Sequence, residues 1–313
     1  MAELFTPATA WSGRDDGPGP QHARWHSVID TSNAGRWRDA VALLGFASDE
    51  GVARNGGRPG AAAGPEALRA ALGGLAVHHP WPLVDAGTVT TQGEDLEGAQ
   101  AEVSARVREL AVGGNLVVVL GGGHETSFAT HRGVVEALGP LQVINFDAHF
   151  DLRQADRPTS GTPFRQIAEL VGDDFDYSVF GISEPNNTPV LFDAARDLGV
   201  RTVLDVELAE LSPRECARAA ASAVAGSAPI HLSIDLDVLP AAVAPGVSAP
   251  AGFGVAAEKL RAMVTAVAAT GRVALVDVVE LNPQYDVDNR TAKVAARLIH
   301  DIVDAHVRAV AAG

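Results

Sequence analysis

The segment from Asn145 to Asp151 reads NFDAHFD, and three of its seven side chains are groups that bind metals or move protons. Asp147, His149 and Asp151 alternate with Ala148 and Phe150 directly after the apolar run LQVI, so an extended backbone would carry all three on one side. Two other stretches supply groups of the same kind: GGGHE, with His124, and SIDLD, with Asp235 and Asp237. Brought together, four carboxylates and two imidazoles hold more negative charge than a protein interior accepts, and two divalent cations would neutralise it. Such a pair lowers the pKa of bound water from about 15.7 to about 7, the basis of metal-assisted hydrolysis.

Each stretch must be positioned by the element before it. LVVVL precedes GGGHE, LQVINF runs into the Asp147 segment and IHLSID carries Asp235 at its end; all three read as strands that open into loops. The carboxyl ends of parallel strands share one edge of a sheet, so loops far apart in sequence can converge there. GGGHE is not a phosphate-binding loop, since no Lys-Ser or Lys-Thr pair follows it, nor a zinc-protease helix, since Phe128 stands where the second histidine would be. Taken singly, His124 reads as a structural histidine and Asp235 and Asp237 as caps or loop carboxylates. Their coincidence at three strand ends makes the case.

From Asp39 onward, strand and helix patterns alternate. VALLGFA, LVDAGTV, LVVVL, LQVINF, YSVFGI, RTVLDV, IHLSID and VALVDVVEL read as strands. Between them lie helical patterns, among them one opening near Pro65, LEGAQAEVSARVRELA ending at Gly113 and Gly114, and the closing TAKVAARLIHDIVDAHVRAV. A long loop is predicted from Asp151 to Gln166. Several strands are apolar throughout, which requires cover on both faces. The expectation is an α/β fold, a three-layer α/β/α sandwich around a mostly parallel sheet of roughly eight strands. Residues 39–313 form the expected catalytic domain. Residues 1–38, rich in Gly, Pro and polar residues but containing Trp11 and Trp25, are expected to pack as an arm on that domain or on a neighbouring subunit.

With 313 residues, 47% of them hydrophobic, the chain can bury a substantial core. Its single cysteine, Cys216, lies in the helical run PRECARAAASAVA, reads as a small buried apolar residue and leaves no disulfide framework. No apolar stretch is long enough to span a bilayer, and the start of the chain lacks the pattern of a signal peptide, so a soluble, cytoplasmic protein is expected, with no membrane partner. A net charge of −15 argues against a nucleic-acid partner.

GGGHE, NFDAHFD, SIDLDVLP and DVVELNP resemble the four signature segments of the ureohydrolase family, which includes arginases, agmatinases and formimidoylglutamases, and the likeness runs from about Val41 to the last helix. The resemblance implies that His124, Asp147, His149, Asp151, Asp235 and Asp237 bind two Mn(II) ions, with Asp147 and Asp237 as bridging or shared ligands. Oxygen-rich ligation without thiolate also favours a hard ion such as manganese. The resemblance further implies that Glu280, after the strand VALVDVV, holds the cationic amidine or guanidine of a substrate. Asp286, Asp288 and Thr291 read as capping residues of the last helix.

Two departures narrow the resemblance. Where arginases and agmatinases have a histidine in an HGT segment, this chain reads SGTPF with Ser160 at that place, and where they read DxDxxDP it reads DLDVLP, without the third aspartate. Both changes, together with DEGVARNGGRPGA, WSGRDDG and RWHSVI, resemble formimidoylglutamases. N-formimidoyl-L-glutamate, the substrate this implies, carries two carboxylates that need cations. Arg153 and Arg165, in the segment expected to face the metals, are the candidates, with Ser160, Asn187, Asn186 and Arg54 beside them. In the implied reaction Asp151 moves a proton and Glu280 orients the amidinium. A homo-oligomer, a trimer or hexamer, is also implied. The competing readings are another ureohydrolase that releases urea and a catalytically silent metal-binding subunit.

Overall fold

Val117 and Val119 point into one hydrophobic cluster while Val118 and Leu120 point into another, so this strand has apolar cover on both faces. The computed structural model describes residues 4–32 and 37–312. The strands are β1 (Phe5–Thr6), β2 (Val41–Ala47), β3 (Leu83–Thr90), β4 (Leu116–Leu120), β5 (Gln142–Phe146), β6 (Asp176–Ile182), β7 (Arg201–Leu204), β8 (Ile230–Asp235) and β9 (Val273–Val279). The helices are α1 (Trp25–Val28), α2 (Glu50–Arg54), α3 (Gly64–Gly73), α4 (Leu96–Val112), α5 (Thr126–Leu138), α6 (Pro163–Val171), α7 (Pro189–Asp197), α8 (Asp205–Ala209), α9 (Pro213–Ala223), α10 (Ala257–Ala268) and α11 (Arg290–Ala312).

Nine strands form one sheet in the order β1-β3-β2-β4-β9-β8-β5-β6-β7. Every neighbouring pair is parallel except β1 with β3. Helices α3, α10 and α11 share the cluster on one face, while α4 and α5 pack on the other. This is the expected three-layer α/β/α sandwich. The strand beyond the expected eight comes from the arm, where Phe5 pairs with Val89 at the sheet edge. The described part of the arm lies against the domain: Trp25 is buried and donates its indole hydrogen to His300 Nδ1 at 3.0 Å, and Trp11 donates to Asp85 Oδ2 at 2.8 Å. Residues 33–36, just before the expected boundary at 38/39, fall outside the described residues.

Two local readings are corrected. The segment expected to be a loop as far as Gln166 contains α6, which Pro163 opens at its first turn, where a missing N–H costs nothing. RTVLDV is a strand only to Leu204. At Asp205 the chain turns into α8, whose opening Glu207 side chain accepts from the Leu204 N–H. Asp286 does cap α11, accepting from the backbone N–H groups of Thr291 and Ala292.

For the site, strand order matters most. β4, β9, β8 and β5 are consecutive in the sheet, so the stretches after them open side by side at one edge. Register also sets Asn145 beside Ser233 and Ser233 beside Asp277, a polar row across β5, β8 and β9 in an otherwise apolar layer. Among the described residues, no helix is long and apolar enough to cross a membrane.

Candidate active site

β4 ends in three glycines whose lack of side chains lets the chain turn tightly. A Cβ on Gly122 would lie 1.8 Å from the Ser48 carbonyl oxygen, and Gly123 N–H donates to that oxygen at 3.0 Å. This turn delivers His124, which is 1% exposed. His124 Nδ1 lies 3.1 Å from Asp147 Oδ2, 2.9 Å from Asp151 Oδ2 and 3.1 Å from Asp235 Oδ2. His149 Nδ1 lies 3.1 Å from Asp237 Oδ2 and 3.7 Å from Asp147 Oδ1.

The donor atoms thus fall into two groups, His124, Asp147, Asp151 and Asp235 in one and Asp147, His149 and Asp237 in the other, each with its atoms within 4.8 Å of one another. Asp147 contributes an oxygen to both. Asp237, expected to be shared as well, belongs only to the second. His124 Nδ1 is buried and has no hydrogen-bond partner despite three carboxylate oxygens around it, which is how donor atoms surround one cation. The opposite ring nitrogen, Nε2, lies 3.1 Å from Ser233 Oγ. A histidine ligand held through its second nitrogen is the usual arrangement at a metal. The six residues therefore fit a pair of divalent cations.

The Asp147 segment reaches this geometry differently from the extended ladder expected of it. β5 stops at Phe146, and Asp147 Oδ1 accepts from His149 N–H at 2.6 Å, bending the chain back on itself. Asn187 braces the bend: its amide donates to Ala148 O at 2.9 Å and its Oδ1 accepts from Phe150 N–H at 3.2 Å. Asp151 then adopts a left-handed backbone at φ 50°. Three donors converge because the chain turns, not because a strand pleats.

Charge in the cavity is unbalanced without cations. Burial would lower the pKa of His149, but the charges of Asp237 and Asp147 overcome that and push it up to about 12. Burial, the neighbouring carboxylates Asp237 and Asp147 also push Asp235 well above its ordinary value. Glu280 follows β9 at φ 68°, is 5% exposed and accepts from His124 N–H through Oε1 at 2.9 Å. Burial, then the charge of Glu125, pushes its pKa up to about 8. All three shifts favour more positive charge in the cavity, the charge that metal ions and a cationic substrate would supply.

His124, His149, Asp151, Asp235 and Asp237 border a cavity of about 200 Å³, with Asp147 buried behind them. Arg153, Ser160, Asn55 and Glu280 also line it. Ser160 Oγ accepts from Asn55 Nδ2 at 3.2 Å. The other expected arginines are engaged elsewhere. Arg165 lies on α6, pairs with Glu169 at 2.9 Å and borders an adjacent depression, not this cavity. Arg54 pairs with Glu50 and Glu97 and donates to the carbonyls of Pro158 and Glu94, which holds the α2 loop in place. Asn187 lines the cavity but spends its polar atoms on the brace, and Asn186 is exposed.

Sequence reading missed a supporting layer. Glu125, inside GGGHE, is fully buried and accepts from Ser48 Oγ and Gly51 N–H through Oε1, tying the α2 loop to the turn that carries His124. Asn145 donates to Asp147 Oδ2 at 3.1 Å, and Ser233 and Asp277 stand behind His124. Asn145, Ser233 and Asp277 carried a visible signal, since each is a polar residue inside a largely apolar strand, where burial needs a compensating partner; Glu125, at the start of α5, did not. Asn55 gave no such signal.

Fold and donor set together define the class, an α/β protein with a candidate dinuclear metal centre at the carboxyl edge of its parallel sheet. The chain belongs to the arginase family, which it matches over residues 39–304. It is 51% identical over 301 residues to a formimidoylglutamase of Corynebacterium efficiens, covering 96% of each chain. A formimidoylglutamase of Nocardia farcinica is 50% identical, with 96% of this chain and 98% of that one covered. Among solved structures, Trypanosoma cruzi formiminoglutamase with Mn2+ is similar at a TM-score of 0.78 and 29% identity, over 85% of this chain and 92% of that one. Proclavaminate amidino hydrolase from Streptomyces clavuligerus has a TM-score of 0.77 at 30% identity, over 90% and 95%.

Proposed function

We propose that the protein hydrolyses N-formimidoyl-L-glutamate to L-glutamate and formamide with two Mn2+ ions. The observation that carries this reading is a single cavity bordered by both Glu280 and Arg153 beside the donor cage. An amidinium calls for a carboxylate and the glutamate carboxylates call for a cation. A cationic guanidine such as agmatine would be repelled by Arg153. The relatives named formimidoylglutamase support the substrate, and the neighbour crystallised with Mn2+ supports the metal.

His124, Asp147, Asp151 and Asp235 would hold one ion, and Asp147, His149 and Asp237 the other. Bound there, the pair supplies Lewis acidity and an acidified water at neutral pH. Glu280 engages His124 N–H through Oε1, which leaves Oε2 to orient the amidinium. Asp151 turns Oδ2 to His124 Nδ1, so Oδ1 takes the proton of the attacking water and passes it to the leaving nitrogen. Arg153 receives a substrate carboxylate, and the Ser160 hydroxyl, held by Asn55, donates to the substrate. Water adds to the formimidoyl carbon, the bond to the glutamate nitrogen breaks and that nitrogen leaves protonated.

The test assays Mn-loaded protein for glutamate and formamide from N-formimidoyl-L-glutamate, and for urea from agmatine, arginine and guanidino acids. Urea as the best product overturns the substrate assignment, and no turnover on any of them supports a silent metal-binding subunit. Asp237→Ala is expected to lose metal and turnover together. Glu280→Gln is expected to keep both ions by elemental analysis while turnover falls on the order of 10²- to 10³-fold. A fully active, metal-replete Asp237→Ala protein refutes the centre.

A further inference from the structure

Asp277 lies in the middle of β9, a carboxylate with no exposure inside the run VALVDVV. Four side chains donate to it. Oδ1 accepts from Ser233 Oγ at 2.6 Å and Ser127 Oγ at 3.1 Å; Oδ2 accepts from Thr130 Oγ1 at 2.9 Å and His231 Nε2 at 2.7 Å. All four donors are also without exposure. His131 Nδ1 lies 3.1 Å from His231 Nδ1, while His131 Nε2 is buried without a partner. With its proton on Nδ1, His131 donates to His231, whose own proton is then on Nε2 and directed to Asp277. Burial pushes the pKa of His131 well down, in keeping with a neutral ring.

The consequence lies on the other side of Asp277. Ser233 has one hydroxyl hydrogen, and Asp277 takes it. Ser233 can then offer only lone pairs to His124 Nε2, 3.1 Å away, so Nε2 must carry the His124 proton. In the neutral ring that binds a metal, the bare nitrogen is then Nδ1, which faces the carboxylates of Asp147, Asp151 and Asp235. A metal ligand needs this tautomer, since a protonated nitrogen cannot coordinate.

We propose that Asp277 is a positioning residue that acts through Ser233 to keep His124 in its metal-binding tautomer, with His231 and Thr130 holding the carboxylate in place. The substitution Asp277→Asn reverses the sense of the chain. His231 and Thr130 both donate, so they draw the amide oxygen to their side. The amide nitrogen then faces Ser233 and donates to it, which turns the Ser233 hydrogen towards His124 Nε2 and moves the ring proton to Nδ1.

This inference rests on the two-ion reading above, and the experiment separates them. Mn2+ binding is measured by titration calorimetry and elemental analysis on the parent, Asp277→Asn, Ser233→Ala and the double variant. A parent that binds no Mn2+ defeats the metal reading itself. Given two ions in the parent, Asp277→Asn is expected to weaken one of them roughly 100-fold, at the upper end for outer partners of a metal ligand. The double variant is expected to bind that ion more tightly than Asp277→Asn alone, because without the Ser233 hydroxyl nothing donates to Nε2. A purely structural role predicts the reverse order, and a double variant no tighter than Asp277→Asn overturns the proposal. Should Asp277→Asn not fold, neutron diffraction from parent crystals decides. A Ser233 deuteron directed at Asp277 supports the chain of donors, and one directed at His124 overturns it.

Discussion

Asp151 and Glu280 are two of five described non-glycine residues with positive φ, at 50° and 68°. Such backbones cost roughly 1–3 kcal/mol each and survive only where the surroundings enforce them. Here the surroundings are explicit: Asp151 closes the bend braced by Asn187, and Glu280 donates its N–H to Gly122 O at 2.8 Å while its side chain holds His124. Strain thus accumulates on the two residues to which the chemistry is assigned. Arginine roles are also decided at this scale. Arg54 and Arg165 have anionic partners, whereas Arg153 reaches the cavity wall. Arg153→Ala is expected to raise KM for N-formimidoyl-L-glutamate about 10- to 100-fold, the worth of one charged hydrogen bond, with a smaller change in kcat. Steady-state kinetics checks it, and an unchanged KM removes Arg153 from the substrate site.

At the scale of elements, the arrangement works because β9 inserts between β4 and β8. That order puts Glu280 beside the turn carrying His124, and Gly121 N–H and Glu280 N–H stitch the two strand ends together. Ser48, just after β2, closes the other side of this turn and leaves no room at Gly122, where a Cβ would overlap the Ser48 carbonyl. Gly122→Ala is therefore expected to destabilise by about 1–3 kcal/mol, the usual cost of overpacking, and to lower Mn2+ affinity through displacement of His124. Gly74 serves as the comparison: a Cβ there meets nothing within 4 Å, so Gly74→Ala is expected within about 0.5 kcal/mol of the parent. Denaturant melts of both variants test the contrast. A sequence shows that glycines cluster before His124; it does not show which of them faces a carbonyl.

Across the whole molecule, stability is expected to depend on occupancy of the candidate metal centre. The unfolded chain scatters the six donors over more than a hundred residues, from His124 to Asp237, so ions bind mainly the folded form. Each site is expected to add about 2.7 kcal/mol at free metal a hundredfold above its Kd. A chelator should therefore lower Tm by several degrees, and added Mn2+ should restore it; a Tm indifferent to both would mean that the cage holds no ion. Acid should have the same sense as the chelator, because protons compete for His124, His149 and the carboxylates.

Periodicity alone determined the alternation of strands and helices and the mostly parallel sheet, because strands buried on both faces must be apolar throughout and that pattern is local. Spacing and residue type marked the six donors as candidates, because each lies at or just after an apolar run, while Glu280 was marked by the resemblance to ureohydrolases. Strand order, the bend that brings Asp151 to His124, which of three arginines borders the cavity and the contacts around Asp277 are visible only in three dimensions. Each depends on which distant segment lies alongside. Local residue preferences carry no term for that, since a partner in space, such as Glu169 for Arg165 or Ser233 for Asp277, is set by packing and register.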